Sequence, residues 1–369
     1  MTAPSRIWVS TATASYEVLV GGGLLAMAGE HVARVSEARR CALVTDITVD
    51  GLYGEMVAGS LGEAGLDVVR IAVPPGEGSK SWPSAGAVLE DLARAGLGRS
   101  DLVVALGGGV VGDLAGFCAA VYLRGIDYVQ LPTTLLAQVD SSVGGKTGVD
   151  LAAGKNLAGS FKQPLLVLAD TDVLTSLVPL EWQSGLAEVA KEAMLAGPAQ
   201  VGWMTRHAGA LLAREAGVVR EAVIAAIEHK ASVVSADELE SGLRESLNYG
   251  HTLGHAIERV AGYGVIAHGV AVAEGMRFAA RLAANLLDAP AQTGEVQEAM
   301  LSALGIARPA YPGDVEALVA AMHSDKKARG GTVRFALVPE PGRYVALPVD
   351  DEVLEREVRE WIETVDERG

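Results

Sequence analysis

Short apolar runs rich in β-branched residues recur through the first half of the chain, each followed by a stretch with helical spacing. They are RCALVTD (40–46), LDVVRIAVP (66–74), DLVVALGGG (101–109), DYVQLP (127–132) and PLLVLAD (164–170). Helical patterns over 24–36, 49–64, 81–95 and from about Val110 separate them, and 6–20 reads as a strand pair. Strands that lack polar alternation are buried on both faces, and crossover helices supply the cover. The pattern therefore predicts an α/β unit around a mostly parallel sheet.

Beyond about Leu177 these runs give way to amphipathic segments rich in Ala, Leu and Glu from 180 to 324. TVRFALV (332–338) and RYVALPV (343–349) form a β-like tail before a last helix. The reading is an N-terminal α/β nucleotide-binding domain over 1–178 and a mainly α-helical C-terminal domain over 179–369. The default place for an active site is a cleft between them.

Composition removes several classes. Half of the residues are apolar and 21% are charged, which is enough to bury a core and excludes a disordered chain. The net charge of −16 argues against the broad basic face that nucleic acid needs, but not against a locally basic pocket for a small anion. Two cysteines, Cys41 and Cys118, cannot make a disulfide framework, so a reducing cytoplasm is expected. The first residues hold no apolar core of signal-peptide length. The one apolar stretch of membrane length, Leu102 to Leu123, carries Asp113 and five glycines, so no membrane span is expected.

Strand DLVVAL runs straight into Gly107-Gly108-Gly109-Val110-Val111-Gly112-Asp113. A glycine turn between strand and helix lets backbone N–H groups and the helix dipole meet a pyrophosphate, although a tight packing turn looks alike. Pro75-Gly76-Glu77-Gly78-Ser79-Lys80 follows another strand and Thr133-Thr134 a third, which strengthens the nucleotide reading. Next come Gln138 to Gly148, with Asp140 and Lys146, and Gly154-Lys155-Asn156. This stretch reads as a loop that clamps a sugar phosphate or diphosphate. Its GGKT lacks the upstream glycine and strand-to-helix setting of an ATPase phosphate loop.

In the helical half, Glu188 and Lys191 share a helix face. If 242–255 is helical, Arg244, Asn248, His251 and His255 form one polar stripe, and Gly250 and Gly254 admit another backbone. His268 follows. Three histidines within 18 residues and a helix-borne carboxylate suit a divalent metal. Spacing leaves open which histidines bind.

Together GGGVVGDLAGF (107–117), YLRG (122–125), LPTTLLAQVDSSVGGKTGVD (131–150), GKNLAGSFKQP (154–164), GLAEVAK (185–191), GLRESLNYGHTLGHAIE (242–258), HGVAVAEGM (268–276) and SDKK (324–327) resemble the 3-dehydroquinate synthase family of sugar phosphate cyclases. The resemblance implies a zinc or cobalt ion on Glu188, His251 and His268, with His255 left to substrate. It implies NAD contacts from Asp46, Pro75, Gly76, Glu77, Gly78, Ser79, Lys80, Gly109, Val110, Val111, Gly112, Asp113, Thr133, Thr134, Lys146 and Lys155. Val173, Leu174, Thr175 and Ser176 would close over the nicotinamide side. Asp140, Lys146, Asn156, Lys191, Lys230, Arg244, Asn248, His255 and Lys326 would contact substrate, and Arg124 would be presented to the neighbouring subunit of a homodimer.

The family's reaction converts 3-deoxy-D-arabino-heptulosonate 7-phosphate to 3-dehydroquinate and phosphate in the shikimate pathway. It runs by transient oxidation with NAD, β-elimination, re-reduction and aldol closure. A sister sugar phosphate cyclase acting on sedoheptulose 7-phosphate or an amino substrate, and a metal-dependent NAD alcohol dehydrogenase, are the alternatives. Lys146, Lys155, Asn156 and Arg124 speak against the dehydrogenase, whose site needs no phosphate clamp. Glu192-Ala193 stands where the family suggests an aromatic and a glycine, and Glu181-Trp182-Gln183 is also a departure. Neither is expected to touch a functional position.

Overall fold

A computed structural model describes residues 3–326 and 332–366. The chain forms two compact units, Met1–Val178 with Val219–Leu239, and Pro179–Val218 with Glu240–Gly369.

The first unit contains β1 (Ser5–Ser10), β2 (Ser15–Gly21), α1 (Ala28–Ala33), β3 (Arg40–Asp46), α2 (Ile47–Val49), α3 (Glu55–Glu63) and β4 (Asp67–Val73). It continues with α4 (Trp82–Arg94), β5 (Leu102–Gly107), α5 (Gly109–Val121), β6 (Asp127–Pro132), β7 (Lys146–Leu151), β8 (Gly154–Phe161) and β9 (Leu166–Asp170). Seven strands form one sheet in the order β1-β2-β9-β6-β5-β3-β4. β1 and β2 pair antiparallel, and the other neighbours are parallel. β5 and β9 are buried at every position, the reason their sequences do not alternate. Successive side chains still go to opposite faces: Leu43, Val104 and Leu168 enter one core, and Ala42, Val44, Val103 and Tyr128 the other.

β7 and β8 form an antiparallel hairpin where the sequence suggested an irregular loop. Their glycines hid the strand signal. The Gly159 position lets β8 pass within 2.6 Å of the Thr147 carbonyl as measured from an added Cβ, a separation no side chain tolerates.

α6 (Pro179–Ala196) and α7 (Pro198–Leu212) lie in the second unit, and α8 (Ala216–Ala236) belongs mainly to the first. This differs from the division at 178/179 expected from sequence. Polar anchors tie this segment to the first unit: Glu238 accepts from Thr13 N at 3.1 Å and Gln163 Nε2 at 3.0 Å, and Lys230 reaches Asp140. An amphipathic helix pattern does not reveal which of two units it packs on.

The second unit adds α9 (His251–Ala261), α10 (His268–Leu287), α11 (Ala291–Ala303) and α12 (Val315–Lys326). A hairpin of β10 (Val333–Glu340) and β11 (Arg343–Val349) and then α13 (Asp351–Asp366) follow. α9 and α10 touch backbone to backbone. A Cβ on Gly275 would stand 1.8 Å from the Gly250 carbonyl oxygen, and one on Gly250 2.5 Å from that of Val272. Gly250 also has φ +83, which breaks the helix before His251. Residues 243–248 are consequently a 3₁₀ turn, and the single helical stripe from Arg244 to His255 expected from sequence is not formed.

Candidate active site

Five of the candidate cofactor segments of the first unit follow the carboxyl ends of parallel strands, whereas Lys146 and Lys155 lie in the β7–β8 hairpin. Asp46 ends β3, Pro75 to Lys80 follow β4, Gly109 to Asp113 follow β5, Thr133 and Thr134 follow β6, and Val173 to Ser176 follow β9. The chain leaves β3 for β4 on one side and returns to β5 on the other, so the crevice between β3 and β5 is a topological switch point. Asp46 and the glycine turn flank it.

Gly108, the N-cap of α5, gives no side-chain cap, so the helix's first N–H groups are left available to an anion at the strand end. Its approach is tight: Cβ atoms on Gly108 and Gly112 would stand 3.1 Å from Thr134 Cγ2 and 2.7 Å from Gln130 Oε1. Lys80 Nζ lies 2.5 Å from Asp113 Oδ2. Burial opposes the charge on Lys80, but the carboxylates around it, Asp113 first and then Glu77 and Asp150, together raise the ammonium's pKa. Lys155 Nζ lies 3.1 Å from Glu77 Oε1. Asp46 accepts from Thr48 N and Val49 N at 2.9 and 3.0 Å, so its carboxylate also caps α2. Val173 and Leu174 are buried, which leaves Thr175 and Ser176 at the edge of that turn; Ser176 Oγ is bonded to Tyr53 at 2.9 Å.

Lys230 Nζ donates to both the carbonyl and Oδ1 of Asp140, each at 2.7 Å. Lys230, a substrate contact by resemblance, is thus paired within the first unit. Lys146 opens β7, and Asn156 has φ +56 with its N–H on Asp150 Oδ1 at 2.8 Å. Arg124 is exposed in a run of left-handed residues, Leu123 at φ +51, Arg124 at +71 and Gly125 at +116. Two non-glycine residues there store strain.

In the second unit the histidines converge. The ligand atoms of His251, His255 and His268 lie within 4.8 Å of one another. Glu188 Oε1 is 3.7 Å from Nε2 of His251 and 3.7 Å from Nε2 of His268. The opposite ring nitrogens are occupied, His251 Nδ1 by the Tyr249 carbonyl at 3.2 Å and His268 Nδ1 by Glu258 Oε2 at 3.1 Å. Such tethers aim Nε2 at a metal. Glu188 is fully buried, and its Oε1 receives no hydrogen bond. A buried carboxylate oxygen without a donor is costly unless a cation meets it. Ligands about 2.0–2.1 Å from a tetrahedral zinc stand roughly 3.3–3.4 Å apart, so the two 3.7 Å carboxylate–imidazole separations need only a small contraction. The donor set fits a divalent metal.

Lys191 Nζ lies 2.7 Å from Glu188 Oε2 and 3.3 Å from Glu192 Oε1, all three side chains being buried. Glu192, expected to be remote from function, thus touches a candidate substrate residue. Trp182 packs under the Arg214 guanidinium, 4.9 Å from the ring centre, so that departure is a packing feature. Arg244 is 2% exposed in the 3₁₀ turn, and Asn248 Nδ2 donates to Glu240 Oε1 at 2.8 Å. Lys326 ends α12, and its side chain lies outside the described residues. Glu258 was given no role from sequence, yet its step of seven from His251 and three from His255 puts it on the same face of α9.

Residues 70–184 match the N-terminal family model of 3-dehydroquinate synthase and residues 185–328 the C-terminal one. A 3-dehydroquinate synthase of Caulobacter vibrioides is 46% identical over 345 residues, covering 91% of this chain and 93% of that protein. That of Paracoccus denitrificans is 44% identical, covering 95% and 97%.

The chain belongs to the 3-dehydroquinate synthase family.

Its fold is also that of related cyclases. A 2-deoxy-scyllo-inosose synthase solved with carbaglucose-6-phosphate, NAD+ and Co2+ has a TM-score of 0.87 at 25% identity, covering 96% of this chain and 99% of that one. A 2-epi-5-epi-valiolone synthase from Streptomyces hygroscopicus, solved with NAD+ and Zn2+, has 0.87 at 27%, covering 96% and 98%. An iron-containing alcohol dehydrogenase from Thermococcus thioreducens shares the fold alone, with a TM-score of 0.71 at 15% identity over 97% of this chain and 99% of that one. Among the described residues no helix is long and apolar enough to cross a membrane.

Proposed function

We propose that the chain is a phosphate-eliminating lyase that converts 3-deoxy-D-arabino-heptulosonate 7-phosphate to 3-dehydroquinate, with NAD and a divalent metal. The observation that carries the reading is the buried, donor-free Glu188 Oε1, 3.7 Å from each of two tethered histidine nitrogens, in a chain of this family. Glu188, His251 and His268 would hold zinc or cobalt, and the carboxyl edge from Asp46 to Ser176 would hold NAD. Bound there, these groups would supply Lewis-acid polarisation of substrate oxygens and reversible hydride acceptance.

The chain's own residues hold the substrate through these changes. Lys146, Lys155 and Asn156 supply cationic and amide donors for the phosphate end. Arg244 presents a planar fork suited to the carboxylate, and Asn248 adds a donor. Lys191, kept among carboxylates, is a compact cation for a substrate oxygen. His255, beside the metal ligands, is placed for a substrate hydroxyl. Asp140 is held by Lys230, which fixes its carboxylate in place.

The reading includes a homodimer in which Arg124 reaches the partner's site. The left-handed run that exposes Arg124 supports it. A reducing cytoplasm suits Cys41 and Cys118, free thiols that burial pushes up to about 12. The test is phosphate release from the heptulosonate phosphate by protein, NAD and zinc. Release that stops on chelation and returns with metal is expected; no release with all components present contradicts the reading.

A further inference from the structure

Arg334 on β10 is tied both to the turn that carries Arg244 and to α9, which carries His251 and His255. Its Nε donates to Glu245 Oε1 at 3.1 Å and its Nη2 to Glu245 Oε2 at 3.4 Å. Its carbonyl accepts from Thr252 Oγ1 at 3.2 Å. Glu245 adjoins Arg244 in the 3₁₀ turn, and Thr252 adjoins His251 on α9. The Glu245 side chain is 13% exposed and that of Arg334 39%, so the fork is partly shielded from water.

The turn needs such an anchor. Leu243–Asn248 is a six-residue 3₁₀ segment, longer than this geometry usually sustains, with Gly242 before it and Gly250 one residue past its Tyr249 cap. Three residues per turn put Arg244 and Leu247 on one side and Glu245 and Asn248 on another. Arg244 and Leu247 are buried. A fork gripping Glu245 by two bonds therefore fixes the rotation of the turn about its axis, and with it the direction of Arg244. A single point-charge contact would leave that rotation freer.

We propose that Arg334 is a positioning residue: through Glu245 it orients Arg244 relative to His251 and so sets the affinity for the carboxylate end of the substrate. The role rests on the function proposed above.

The test uses the full-length, zinc-loaded protein and the variants Arg334→Met, Arg334→Lys, Glu245→Gln and Arg334→Met/Glu245→Gln. Three quantities are read: KM for the heptulosonate phosphate, Ki for inorganic phosphate, which has no carboxylate, and bound zinc by elemental analysis. Arg334→Met is expected to raise KM on the order of tenfold or more while phosphate Ki and zinc content hold. Arg334→Lys should restore part of the loss, and the double variant should be no worse than the worse single one. An unchanged KM, or parallel losses in KM, phosphate Ki and zinc, overturns the proposal. Should Arg334→Met fail to fold, the gentler Arg334→Lys and Glu245→Gln carry the same comparison. A wild-type protein that releases no phosphate defeats the functional reading itself; an active wild type with insensitive variants defeats only the positioning role.

Discussion

Lys191 and Glu188 form a buried ion pair, Nζ to Oε2 at 2.7 Å, one helical turn apart on α6. The pair engages one carboxylate oxygen and leaves the other facing His251 and His268. One acid thus pairs with a lysine and still turns an oxygen toward two histidines.

Removing that acid should remove the metal. Glu188→Ala is expected to lose zinc on elemental analysis, whereas His255→Ala should keep zinc and lose activity. Glu258→Gln, which weakens the tether on His268 Nδ1, should lower zinc affinity about 10–100-fold without abolishing binding. Zinc loss in His255→Ala at full retention in Glu188→Ala would reverse the ligand assignment.

The close crossing of α9 and α10 should also be required for the site. Gly275→Ala forces a methyl against the Gly250 carbonyl and is expected to cost about 1–3 kcal/mol of stability. Because His251 and His268 open the two helices, zinc affinity should fall with it. Denaturant melts and zinc titration of the same preparation check both effects; a variant with wild-type values in each would show that the crossing is slack.

Subunit complementation tests Arg124. Arg124→Ala and Glu188→Ala proteins, each nearly inactive, should regain part of the wild-type rate after mixing and exchange. A mixed dimer then holds one site with both Glu188 and the partner's Arg124. No recovery after demonstrated exchange would place Arg124 in its own subunit's site or outside any site.

Carboxylate reading tests Arg244. Sedoheptulose 7-phosphate lacks the carboxylate and would strand buried donors at roughly 1–3 kcal/mol each. Two stranded groups correspond to about a hundredfold or more in kcat/KM. Arg244→Ala should harm the heptulosonate substrate far more than sedoheptulose 7-phosphate. Equal losses for both would mean that Arg244 does not read the carboxylate.

Much of this arrangement was legible in the residues because the signals were local. Buried parallel strands announce themselves as unbroken apolar runs, and DLVVAL ending in glycines marks the strand-to-helix turn at Gly107. His251 and His255 read as one helix face because they lie on one helix. The stripe failed at Arg244 because Gly250 takes a left-handed conformation, which a helical periodicity count ignores. The β7–β8 hairpin was missed because its glycines, needed for close strand approach, look like loop residues. The pairing of Lys230 with Asp140 and of Glu192 with Lys191 depends on packing, and spacing alone carries no record of it.

The most direct test of the account is the stoichiometry of NADH against phosphate. If the hydride taken from the substrate is returned before the ring closes, phosphate release must far exceed NADH accumulation, and catalytic NAD must support many turnovers. Absorbance of NADH and colorimetric phosphate, followed in the same zinc-loaded reaction with limiting NAD, measure both. The account predicts phosphate well beyond the NAD supplied with almost no NADH. Equal yields of NADH and product would contradict it and make the chain a dehydrogenase.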